Sequence, residues 1–118
     1  MNAPVVTPLL PPGFGALEPF LAQWGGETSA ARMEARSTAS MAEIRAFYEV
    51  ALEHAEAALV YLERFPMNSL PQDAARLFRL MLGLVQASMA VEIHGQPRVP
   101  GAPWPSGVAI VQGLSPFG

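Results

Sequence analysis

An all-α fold follows from three features of the sequence. Apolar residues recur at three- and four-residue spacing through residues 41–65 and 71–94, the period of a helix face. A capping pair, Ser40 with Glu43, opens the first of these stretches, and Pro66 and Gly95 stop them. Proline and glycine gather toward the two ends, at residues 1–15 and 96–118, and so leave the middle free for helix.

The elements follow in order. Residues 1–15 carry Pro4, Pro8, Pro11, Pro12, Gly13 and Gly15, which predicts an extended arm. In LEPFLAQW, Leu17, Phe20, Leu21 and Trp24 fall on one face of a short helix, with Pro19 in its first turn and Gly25-Gly26 after it. Thr28 or Ser29 caps a second short helix bearing Arg32, Met33 and Arg36. A long helix is expected over Met41–Phe65. Its core stripe reads Met41, Ile44, Tyr48, Ala51, Ala55, Leu59 and Leu62, flanked by Phe47, Val50, His54 and Tyr61. Glu49, Glu53, Glu56 and Glu63 mark its wet side. Pro71 and Asp73 suit the start of another long helix, which runs to about His94. Gly95 and Pro97 end it. The tail is punctuated by Pro and Gly again, with GVAIVQ as a short strand or an extended arm. The chain therefore reads as one domain over 1–118: arm 1–15, helical core 16–95, arm 96–118. The two long helices would form an antiparallel hairpin. Because the second is apolar nearly all round from Leu77 to Ile93, it needs cover from several sides. That requirement predicts a homodimer pairing two hairpins into a bundle.

Composition narrows the classes of function. Charged residues make up 14% of the chain, against about 25% in ordinary domains, which again points to surface hidden in an oligomer or complex. The net charge is −3, all seven basic residues are Arg, and they form no patch, so a nucleic-acid partner is not expected. Cysteine is absent, which excludes thiol catalysis and thiolate metal sites. The first residues do not resemble a secretory signal. The stretch Leu77–Ile93 is interrupted by Arg79, Gln86 and Glu92 and is shorter than the ~20 residues of a membrane span. These features predict a soluble, cytoplasmic protein with no cofactor.

Glu92 is the leading site candidate. At about 100° per residue it falls beside Phe78, Met81, Val85 and Ser88, which puts a carboxylate on an apolar face. There it would act as a general acid or base, or anchor a polar group of a ligand. Alternatively it would pair with Arg32, Arg36 or Arg98, or simply be exposed near the helix end. Arg32 and Arg36, one turn apart, would clamp an anion. Tyr48 and Ser88 would line the same cavity as Glu92. Met81, with Met33, Met41 and Met89, would give an adaptable wall. Trp24 and Trp104 would stack on an aromatic ligand or anchor their segments. His54 and His94 make no metal-ligand spacing. No nucleophile elbow, phosphate loop or dinucleotide fingerprint occurs. Two functions follow. One is binding of a small apolar or aromatic molecule, with cofactor-independent isomerase, lyase or hydratase chemistry by Glu92. The other is a small oligomeric accessory subunit that docks on a larger protein.

Overall fold

A computed structural model describes residues 8–95, and the fold they form is all-α. The C-terminal arm, with Trp104 and Arg98, lies outside the described residues. A 3-10 turn over Gly15–Phe20 leads directly into α1, Leu21–Trp24. α2 spans Ser29–Thr38, α3 Met41–Leu62 and α4 Gln72–Ser88. A π-helical turn, Met89–His94, continues α4.

Local chemistry sets these bounds. Thr28 caps α2, its hydroxyl oxygen accepting from the Ala31 amide at 3.1 Å. Ser40 and Glu43 make the expected reciprocal capping box at the head of α3. α3 ends three residues before the predicted Phe65, because Glu63–Phe65 form a tight turn ahead of Pro66. Gly95 closes the final turn at φ 67°, a left-handed conformation that suits glycine.

The described end of the N-terminal arm is pinned rather than loosely extended. Leu10, Pro11 and Phe14 are buried. The Glu18 carboxylate accepts from the amides of Leu9 and Leu10, the latter at 2.7 Å, and Arg76 donates to the Leu9 carbonyl at 3.1 Å.

The core gathers Leu17 and Trp24, then Ile44, Phe47, Ala51, Ala58 and Leu62 from α3, and Ala74, Leu77, Leu80, Met81 and Ala87 from α4. Trp24 lies flat on Phe47, with centroids 4.8 Å apart and planes at 4°. α4 passes α1 so closely that a Cβ on Gly83 would collide with the Trp24 carbonyl oxygen. α3 and α4 pack on each other, while α1 and α2 pack on α4.

Two expectations change here. The buried stripe of α3 keeps the expected Ile44, Ala51 and Leu62 and adds Ala58 and Phe47, the latter expected on the flank, because Phe20 and Trp24 pack onto that side. Leu59, expected in the core, is 54% exposed, and Tyr48 and Ala55 are only half-buried. α4 is packed against α1, α2 and α3, and along it only Gln72 and Val85, the latter 55% exposed, are left exposed. Taken with the π turn, the segment Gln72–Ile93 is long and apolar enough by composition to cross a membrane, at mean hydropathy 1.3. In the fold, 44% of the 18-residue window that meets this test is buried.

Candidate functional site

Two rows of side chains run along the same side of the α3–α4 pair. On α3 the row is Tyr48, Leu52 and Leu59, at i, i+4 and i+11. On α4 it is Phe78 and Val85, continued seven residues later by Glu92 in the π turn. The rows meet at both ends. The Tyr48 hydroxyl donates to Glu92 Oε2 at 2.9 Å, and Leu59 and Phe78 line one cleft of about 290 Å³ together with Leu62 and Met67. Leu52 (53% exposed) and Val85 fall between. The result is an exposed apolar strip with a polar clasp at one end.

Glu92 is exposed, which fits the expected exposure near the helix end rather than a buried acid–base site. Two causes act together. The stripe assigned to it was only partly interior, since Met81 is buried and Val85 is not. The π turn, with bonds from i to i+5, also changes the angular step beyond Ser88. Among the described residues Glu92 therefore faces neither an arginine nor a closed cavity. The bond to Glu92 and partial burial, in that order, raise the Tyr48 phenol above the ordinary tyrosine range. Ser88 does not join the pair, because its hydroxyl turns back to the Val85 carbonyl at 2.7 Å.

The arginine pair on α2 divides. Both side chains are buried, at 3% exposure each. Arg32 donates to the Gly26 carbonyl at 2.7 Å and to the Ser29 hydroxyl at 3.3 Å. Arg79 of α4 donates to the neighbouring Gly25 carbonyl at 3.2 Å. These two tie down the Gly25–Gly26 turn, and burial, then the nearby Arg79 charge, pulls the Arg32 pKa down. Arg36 instead directs one terminal N–H at the Met89 sulfur, 3.5 Å away, and its Nε is buried without a partner among the described residues. Burial alone lowers its pKa. Trp24 Nε1, Ser37 Oγ and Gln86 Oε1 are also buried and without a partner among the described residues.

The remaining candidates are scaffold. Trp24 and Met81 belong to the core rather than to a ligand surface. His54 donates from Nδ1 to the Val50 carbonyl at 2.9 Å and lies near the Phe14 ring. The side chain of His94 lies outside the described ones. Among the described residues no cluster of three or more histidine or acidic side chains could hold a metal ion.

No protein-family model, curated protein or solved structure matches the chain. Geometry alone must therefore carry any functional reading.

Sequence reasoning missed the Leu52–Leu59–Val85 strip, although the seven-residue interval from Leu52 to Leu59 was legible. It also missed an open cleft of about 620 Å³ between the arm and α3, walled by Phe14, Tyr61 and Val60 with Glu53 and Glu56 at its rim. Arg64 lies over the Tyr61 ring there, 5.1 Å from its centroid.

Proposed function

We propose that the chain is a small, non-catalytic interaction subunit that pairs with a second copy through the α3–α4 face. The observation that carries this reading is the strip itself: Leu52, Leu59 and Val85 are each more than half exposed in one band, with Phe78 beside them. Such a band is costly in water and typical of an interface. Tyr48 near the start of α3 bonds Glu92 beyond α4, and Leu59 near the end of α3 lines a cleft with Phe78 near the start of α4, which supports an antiparallel hairpin. Two hairpins joined along this face would make a four-helix bundle. α3, at 22 residues, is about 33 Å long, enough to support a sizeable contact.

Charge placement favours a second copy as the occupant. Arg45 on α3 and Glu63, the residue that caps its C-terminal end, are exposed and 18 residues apart, about five turns at 3.6 residues per turn. Leu52 and Leu59 lie between them along the same side. A two-fold, antiparallel contact sets Arg45 of one copy opposite Glu63 of the other at both ends. A soluble, cytoplasmic home goes with this reading.

Acid–base chemistry by Glu92 in a ligand pocket has less support. Its carboxylate is exposed and engaged by a phenol, and it lines neither cleft described above.

Light scattering on the eluting protein tests the pairing. The wild-type chain should run as a dimer, and Leu59→Glu as a folded monomer. Arg45→Glu and Glu63→Arg should each weaken the dimer a few-fold, and the double variant should recover it. A monomeric wild-type chain at 100 µM, or a double variant no better than the singles, overturns the proposal.

A further inference from the structure

We infer that Arg36 is the anchor of a binding site for a carboxylate carried on an apolar body, independent of the α3–α4 face. The starting point is a charge without a counter-charge. A buried guanidinium is normally matched by a carboxylate, because removing it from water is costly. All ten acidic residues of the chain lie between Glu18 and Glu92, within the described residues. None of them forms an ion pair with Arg36, and none contributes to its titration. Residues 1–7 and 96–118 carry no aspartate or glutamate. The missing anion must therefore come from outside this set of side chains.

The local chemistry selects the anion. The Nε–H of the guanidinium is buried without a partner among the described residues, while one terminal nitrogen rests on the Met89 sulfur. A thioether is a weak acceptor. The planar Nε edge offers two parallel N–H groups, the fork that carboxylates accept side-on. Met89 is half-buried, and Met33, also half-buried, precedes Arg36 by one turn on α2. Unbranched methionine side chains re-pack readily. Displacing the Met89 thioether would expose the guanidinium and leave two flexible apolar walls for the body of the ligand. Ser37, next along the helix, holds a further buried hydroxyl without a partner. The Arg32 fork is already engaged by the Gly26 carbonyl and Ser29, so Arg36 carries the site.

Sodium octanoate, 1-octanol and sodium phosphate serve as probes on the full chain. Thermal unfolding should show octanoate at about ten times its Kd raising the melting temperature by roughly 5 °C, with octanol and phosphate ineffective. In a ¹⁵N–¹H spectrum of the arginine side chains, octanoate should shift the Arg36 Nε–H signal, assigned by its loss in Arg36→Lys. Arg36→Met should fold, melt no lower than wild type, and lose the response to octanoate. Arg36→Lys keeps the charge without the fork and should retain a weakened response, which decides the matter if Arg36→Met does not fold. An unshifted Nε–H signal, an equal response from the lysine or methionine variant, or a response to octanol or phosphate as large as that to octanoate overturns the inference.

Discussion

The Tyr48 hydroxyl donates to the Glu92 carboxylate at 2.9 Å, joining the first half of α3 to the π turn that follows α4. This bond favours the protonated phenol. With the folded pKa raised, its contribution to stability is complete below the unfolded value of about 10 and is lost as pH rises through the higher folded value. In a Tyr61→Phe background, tyrosinate absorbance should report Tyr48 with a midpoint above that of a free tyrosine. Glu92→Gln should lower the midpoint. An identical midpoint in both proteins would show that the bond does not persist in solution.

The Ser40–Glu43 box has the opposite sign. The Ser40 backbone N–H, then its hydroxyl, then the Gln23 amide hold the Glu43 carboxyl below the usual carboxylate range. The associated stability is present above the unfolded value, about 4.3, and is lost as pH falls through the lower folded value. Ser40→Ala should cost about 1 kcal/mol in chemical unfolding. It should also raise the Glu43 midpoint in a carboxyl NMR titration without abolishing the shift, because the backbone donor remains.

The two sides of α3 should respond differently to truncation. Phe47→Ala removes the ring stacked on Trp24 and should cost about 3–5 kcal/mol. Leu59→Ala, at a residue 54% exposed, should cost the isolated monomer under about 1 kcal/mol. Urea unfolding at low protein concentration separates the two, and similar losses would refute the assignment of interior and strip.

Gly83→Ala should destabilise the protein although it lies mid-helix, where alanine ordinarily gains up to about 1 kcal/mol. The added Cβ meets the Trp24 carbonyl oxygen, so helix and loop must part. An overpacking loss of about 1–3 kcal/mol is expected.

The helices were legible because their ends carry local chemistry. Ser40 with Glu43, Thr28, Pro66 and Gly95 act within a turn of themselves, and each did what its residue type dictates. The interior was less legible, because a helical period gives a stripe but not its neighbour. Phe47 became central only once Trp24 arrived from a different segment. Of the predicted polar group, Tyr48 and Glu92 do meet, whereas Ser88 satisfies itself locally. The exposure of Glu92 depends on a π turn that no residue in Met89–His94 announces. Arg32 and Arg36 look equivalent in sequence. They part because a glycine carbonyl happens to fold back toward one of them and a sulfur toward the other.

The contact at Gly83 also bears on how this sequence can drift. What fills the notch is the main chain of Trp24 rather than its indole. Exchanging the tryptophan would therefore not release position 83. The side chain at 24 can vary wherever the core tolerates the change in volume, but the hydrogen at 83 cannot be replaced without moving α1. The tie between these two positions is thus one-way, and an aligned set of descendants would show an invariant glycine facing a variable partner.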